Sequence, residues 1–89
     1  MKVYQINYDN GRDYSDQDHW VGEKVYVNKV DALKELFDEG FFDKGNSITE
    51  LHFGESIVEI ETDIYEREDA KNIYDAEYAF IKELELIGG

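Results

Sequence analysis

The chain has 89 residues, 22 acidic and 9 basic side chains and a formal net charge of −13, and 42% of it is hydrophobic. This length predicts a single domain over residues 1–89, and the apolar content is too high for a disordered chain. The charge predicts repulsion of nucleic acid and anionic lipid, and attraction of a basic partner. The chain has no cysteine and no apolar run long enough to span a membrane, which together predict a cytoplasmic protein.

The first part of the chain predicts two strands. Residues 2–9 alternate in polarity, and Asn10 with Gly11 is a strong turn signal. A polar connection then leads to a second strand at residues 19–27, which we expect to pair antiparallel with the first. The apolar face of the first strand carries Tyr4, Ile6 and Tyr8. The expected buried residues of the second are Val21, Val25 and Val27.

An amphipathic helix is predicted over about residues 29–39. Asn28 is a preferred N-cap residue, and Asp31 three positions later makes a variant of the capping box. Gly40 stands where helices end in a left-handed residue. Phe42 falls outside the apolar stripe, so we expect it to be exposed. The stripe itself consists of Val30, Leu33, Leu36, Phe37 and Phe41.

From residue 48 onward the pattern is again typical of strands. Residues 56–65 alternate strictly, and residues 67–74 predict either a short helix or an ordered loop. Residues 69–87 fit a helix or a strand. The strict alternation near the end, and the need of the preceding strand for a partner, favour the strand. One face of residues 56–65 carries Glu59, Glu61, Asp63 and Tyr65, and the final strand carries Glu83 and Glu85 on one face.

Together these elements predict an α+β domain. We expect an antiparallel sheet of four to five strands with one main helix packed on a face, in the order β-β-α-β-β.

The residues offer little for catalysis. There is no cysteine nucleophile, no serine lies in a Gly-x-Ser-x-Gly turn, and the glycines match no phosphate-binding motif. We therefore predict that the protein is not an enzyme and uses no cofactor or metal. A Ca²⁺-binding accessory protein is an alternative, because Ca²⁺ takes carboxylate oxygens and the loop from Asp9 to Asp18 is rich in acids. Its spacing does not match an EF-hand.

An acidic surface is the stronger functional candidate. Residues 45–89 hold 12 acids against 3 bases. If the last two strands form a hairpin, Glu59 lies opposite Glu83, and like charges placed opposite each other destabilise a sheet. Acids in the last turn of the helix are unfavourable too. All of these unfavourable placements involve negative charge, which suggests selection for a surface that imitates nucleic-acid charge. The expected partner-binding residues are Glu59, Glu61, Asp63, Glu83 and Glu85, with Phe42 and Tyr65 as apolar anchors.

The order of these segments is similar to that of small phage-encoded proteins. The segments are a strand opening KVY, a polar turn, a second strand, a capped helix opening NKVDALKEL and a closing YAFIKELEL. Several such proteins of similar size and acidity are anti-CRISPR or antirestriction inhibitors. The resemblance implies a phage protein that binds the basic groove of a host nuclease, with acids where DNA phosphates would lie. The alternative is a module that docks a partner or forms a homodimer through an apolar patch around Trp20, Phe42 or Tyr65.

Overall fold

The computed structural model of the chain describes residues 1–12, 14–53, 56–72 and 74–87, and the side chains of these except residues 14 and 46–60. These residues form five strands, one α-helix and a short 3₁₀ turn. The elements are β1 (Lys2–Asp9), the 3₁₀ turn (Tyr14–Asp16), β2 (His19–Tyr26), α1 (Lys29–Asp38), β3 (Phe42–Phe53), β4 (Ser56–Glu66) and β5 (Tyr78–Glu85).

The strands form one antiparallel sheet in the order β2-β1-β5-β4-β3. The predicted α+β class, with one helix on an antiparallel sheet, is confirmed. The order along the chain matches only in outline, because three strands rather than two follow the helix. Within the described ranges, no helix is long and apolar enough to cross a membrane.

The last segment is a strand, as the alternation favoured, and it lies at the centre of the sheet. β5 pairs with β1 without interruption, from Glu85 opposite Lys2 to Tyr78 opposite Asp9. Its pairing with β4 is limited to two positions, Tyr65 with Ala79 and Glu66 with Tyr78. β5 is therefore held mainly by the first strand of the chain.

The expected juxtaposition of Glu59 and Glu83 is wrong. Glu59 pairs with Glu50 in β3, and Glu83 pairs with Tyr4 in β1. The reason is that β5 pairs along its whole length with β1, so most of β4 pairs with β3 instead.

The sequence predicted either a short helix or an ordered loop for residues 67–74, and the structure shows the loop, which connects β4 with β5. The described part of residues 67–74 contains turns and no helix. The carboxylate of Asp75 accepts hydrogen bonds from the backbone N–H groups of Lys71, at 3.0 Å, and Asn72, at 3.4 Å. These donors stabilise the charged form and lower the pKa of Asp75.

The helix packs on the sheet through a face that matches the predicted stripe in part, since Leu36 is buried and Leu33 packs against the core. Ala32 and Leu36 are fully buried against the sheet. Val30 and Phe37, which we expected in the stripe, are 72% and 52% exposed, so that part of the prediction is wrong. The small side chain of Ala32 lets the helix backbone approach the sheet, and this rotates the bulkier residues outward. Phe41 is buried, as predicted.

The two ends of the helix are stabilised differently. At the start, Asn28 has the extended backbone of an N-cap, but its side chain makes no capping hydrogen bond, so the capping-box prediction is wrong. At the end, Gly40 has φ +96° and confirms the predicted left-handed stop. The Gly40 N–H bonds the carbonyl of Phe37 at 3.1 Å and the Phe41 N–H bonds that of Leu36 at 3.0 Å. This pattern is the Schellman motif.

The expected buried face of β2 is exposed. β2 is an edge strand, and Val21 and Val25 lie on the face of the sheet away from the helix. Val27 lies beyond the end of the strand and is exposed as well. The helix covers the other face, where Tyr26 and Trp20 pack against the core.

The loop between β1 and β2 is organised by one buried amide. Asn10 is almost completely buried, and its Nδ2 donates to the carbonyl of Asp16 at 2.7 Å. Its Oδ1 accepts from the backbone N–H groups of Arg12 at 3.1 Å and Asp18 at 3.0 Å. The sequence showed only a polar connection here.

We expect Leu36→Ala to lower the free energy of unfolding by about 2–5 kcal/mol, because it leaves a cavity beneath the helix. Val30→Ala is the matched control. Its side chain is exposed, so the change should stay within about 0.5 kcal/mol. Urea denaturation followed by circular dichroism measures both. Equal losses in the two variants would contradict the observed helix face.

Candidate functional site

The described acids of the predicted binding surface lie on the helix-bearing face of the sheet. Tyr65 of β4 pairs with Ala79 of β5, and both belong to the core beneath the helix. Because side chains alternate along a strand, every second residue from these positions shares that face. The side chain of Glu59 falls outside those that the structure describes. The described acids on this face are Glu61, Asp63, Glu83 and Glu85.

A cleft separates the two pairs of acids. β4 and β5 pair only near Tyr65 and diverge beyond it. The gap is a cleft of about 400 Å³ that we call the β4–β5 cleft. Glu61 of β4 and Glu83 of β5 both line it, together with Lys29 and Lys82. The structure therefore brings the two glutamates to one cleft, but the lysines make its charge mixed.

The four acids differ in how their charge is compensated. Glu83 lies 3.6 Å from the ammonium of Lys2 and accepts a hydrogen bond from the Tyr4 hydroxyl at 3.4 Å. Glu85 lies 3.2 Å from the N-terminal ammonium. Both ion pairs are exposed, so they contribute little to stability and can exchange for other partners. Glu61 and Asp63 make no ion pair with any described residue.

The two apolar anchors do not form one patch. Tyr65 is only 4% exposed and belongs to the core, so its assignment as a surface anchor is wrong. Burial, and then the nearby carboxylate of Asp43, raise the pKa of Tyr65. Phe42 is 39% exposed, as predicted, and the ammonium of Lys44 lies 5.8 Å from its ring centre. Phe42 pairs with Glu66, which places it on the opposite face from Tyr65.

A second cleft, which the sequence did not predict, lies between β2 and the C-terminal end of the helix. Its volume is about 550 Å³, and we call it the aromatic groove. The rings of Tyr8 and Trp20 stack with centres 6.0 Å apart and planes 22° from parallel. The ring of Phe41 lies 6.1 Å from that of Tyr8. The aromatic walls are formed by Tyr8, Trp20, Tyr26 and Phe41.

The groove also contains carboxylates. The Tyr8 hydroxyl donates to the two carboxylate oxygens of Glu39 at distances of 3.0 and 3.3 Å. Glu35 lies 3.5 Å from the ammonium of Lys24. Burial, and then the charge of Glu39, raise the pKa of Tyr8 far above its usual value, so the phenol stays a neutral donor. Within the described part of the chain, no cationic side chain pairs with Glu39.

The floor of the groove depends on an irregularity between β1 and β2. Gln5 pairs with Val25 and Asn7 pairs with Val21, so the three residues 22–24 lie opposite Ile6 alone. Gly22 sits in this bulge, where a Cβ would lie 3.3 Å from the Ile6 carbonyl oxygen and 3.3 Å from the Tyr8 ring. A glycine inside a strand is the sequence signal for such a bulge. The spacing of the aromatic residues along β1 and β2 does not by itself predict the groove, because the groove depends on the register shift between these strands.

The calcium alternative finds no support in the described residues. Among them, no group of three His, Asp or Glu side chains is placed to hold a metal ion. Asp9 of the acid-rich loop accepts a hydrogen bond from the Gly11 N–H at 2.7 Å and lies 3.7 Å from Nδ1 of His19. Asp13 of the same loop lies outside the described residues.

No family model, curated protein or solved structure matches this chain. The resemblance to phage-encoded inhibitors therefore stays a prediction.

We expect the protein to lose stability as the pH rises above about 10, where tyrosines of the unfolded chain ionise. Burial is the largest cause that raises the pKa of each of four tyrosines in the folded state, so the stability they provide is full below that pH and is lost above it. These residues are Tyr8, Tyr26, Tyr65 and Tyr78. Thermal melts at a series of alkaline pH values measure the loss.

Tyr8→Phe provides the comparison, since every other titratable group is the same in both proteins. Its melting temperature should fall less steeply with pH than that of the parent. Parallel curves would show that Tyr8 ionises equally easily in the folded and unfolded states.

Proposed function

We propose that this protein is a non-catalytic inhibitor that binds the basic groove of a nucleic-acid-processing defence enzyme in the host cytoplasm. Its carboxylates would stand where nucleic-acid phosphates bind, as in inhibitors of the anti-CRISPR or antirestriction type. The observation that supports this most is the placement of Glu61, Asp63, Glu83 and Glu85 on one face of the sheet. These acids belong to a chain with a net charge of −13.

The electrostatics of this face suit a basic groove. Residues two apart on a strand are roughly 6.6 Å apart, so Glu61 and Asp63 present a short row of negative charge. Neither makes an ion pair with a described side chain, although Lys29 and Lys82 line the same cleft as Glu61. Glu83 and Glu85 hold their cations through exposed contacts of 3.6 and 3.2 Å, which a partner's arginines can replace. The excess charge also steers a basic partner toward the protein.

Charge reversal at Glu61, Asp63 and Glu83 tests the proposal. We expect Glu61→Lys, Asp63→Lys and Glu83→Lys together to weaken binding to the target enzyme by more than about a hundredfold, because a basic groove repels the new charges. The measurement uses a panel of purified RNA-guided nucleases and restriction enzymes. Binding and nuclease inhibition are scored with and without duplex DNA as a competitor.

The matched control reverses Asp16, Asp18 and Glu68, which are exposed and lie outside this face. It changes the net charge by the same amount. Glu83→Lys places a second ammonium beside that of Lys2 and could impair folding. A neutral triple variant (Glu61→Gln, Asp63→Asn, Glu83→Gln) removes the same acids without adding a positive charge. If both charge reversals weaken binding equally, net charge alone explains the effect. Binding that duplex DNA does not displace would refute mimicry.

A homodimer is a second candidate, and the exposed edge of the sheet favours it. β2 is an edge strand, and edge strands offer unpaired backbone groups to another chain. Val25 adds an exposed apolar side chain to this edge.

If β2 pairs with a second copy, Val25→Lys should shift the protein from dimer to monomer. Sedimentation equilibrium measures the mass, and Val30→Lys on the exposed side of the helix is the control. A monomeric parent protein would exclude this candidate.

A further inference from the structure

We propose that the aromatic groove binds an arginine side chain presented by a partner protein. An arginine needs aromatic faces for its planar guanidinium and carboxylates for its charge, and the groove supplies both. That the arginine comes from a basic partner rests on the proposed function. The chemistry of the groove rests on its own residues.

The stacked pair of Tyr8 and Trp20 is suited to a flat cation. Their ring centres are 6.0 Å apart and their planes 22° from parallel, so each ring covers one face of the other and a flat cation would stack on an outer face. A guanidinium is weakly hydrated and stacks on such faces, whereas an ammonium holds its water more tightly. Within the described residues, no cationic side chain stacks on either ring.

The chain itself already places a guanidinium against this groove. The Cζ atom of Arg67 lies 5.6 Å from the centre of the Phe41 ring. Its nitrogens lie 3.4 Å from a carboxylate oxygen of Asp69 and 3.7 Å from one of Asp75. One end of the groove therefore holds an arginine between an aromatic face and two carboxylates. The rest of the groove also combines aromatic rings with a carboxylate, since Tyr8 stacks on Trp20 and donates a hydrogen bond to Glu39.

Glu39, like Glu23, is a carboxylate of the groove that makes no ion pair with a described residue. It lies at the C-cap of the helix, where the backbone carbonyls already give a negative potential. The Tyr8 hydroxyl fixes its position with a 3.0 Å hydrogen bond but brings no charge. A cation bound beside Glu39 would relieve this unfavourable placement. Glu35, whose contact with Lys24 is exposed, stands one helical turn away and adds a second charge.

The size of the groove fits a side chain together with its flanking backbone. Its volume of about 550 Å³ falls within the roughly 300–1,000 Å³ that is usual for ligand sites. A single inorganic ion would leave most of this space and all of the aromatic surface unused.

Trp20 is the only tryptophan in the chain, so its fluorescence reports on the groove directly. The probe is the tripeptide acetyl-Gly-Arg-Gly-amide, titrated at low salt. The comparison peptides contain citrulline, a neutral analogue of the same shape, or lysine in place of arginine. We expect a saturable change with arginine, a weaker one with lysine and none with citrulline. The indole N–H resonance of Trp20 provides a second readout on the same samples.

Glu35→Gln with Glu39→Gln should weaken arginine binding about fivefold to tenfold, the scale of two exposed charge pairs. Asp16→Asn with Asp43→Asn removes the same charge at exposed positions outside the groove and should leave binding within about twofold. Equal losses in the two variants, equal binding of citrulline, or no saturable response by either readout would each overturn the proposal. The titration needs no nuclease. If the arginine peptide binds while no enzyme of the panel is inhibited, the proposed function fails and this inference stands.

Discussion

The pairing of β1 with β5 is the constraint on which the rest of the structure depends. It is the longest regular ladder among strands whose side chains are described, and it brings together segments from opposite ends of the sequence. Each face of this ladder carries buried side chains. Ile6, Ala79 and Ile81 meet the helix on one side, and Phe80 packs with Ile64 on the other. Every other element takes its position from this central pair: β2 and β4 lie to either side, and the helix lies across one face.

Both clefts occur where the ladders beside this central pair are interrupted. On one side, β4 leaves β5 after two paired positions, and the β4–β5 cleft opens between Glu61 and Glu83. On the other side, the bulge at residues 22–24 interrupts the pairing of β2 with β1, and its residues line the aromatic groove. The two interruptions produce different chemistry, mixed charge in the first cleft and aromatic rings with carboxylates in the second.

Local patterns along the sequence predicted the elements well, and they predicted the contacts between elements poorly. The alternation of Tyr4, Ile6 and Tyr8, and the stop at Gly40, depend on neighbouring residues and were correct. The helix stripe was correct at Leu36 and Phe41. It was wrong at Val30 and Phe37, because the stripe was chosen by bulk while the small Ala32 takes a buried position. The position opposite Glu83 and the existence of the aromatic groove depended on strand order and on a register shift. Neither is set by residues close together in the sequence.

The central ladder also determines the order in which the fold can assemble. β1 leaves the ribosome before the other strands of this sheet, and its principal partner, residues 78–85, lies 69 to 83 positions further along the chain. Until that partner emerges, β1 has only the irregular ladder of β2, and the aromatic side chains between them lack their cover. Contacts with such large sequence separation slow folding, because a long loop must close before they form. The negative charge that we assign to partner binding would also act before folding is complete. It makes incomplete chains repel one another until β5 has been synthesised.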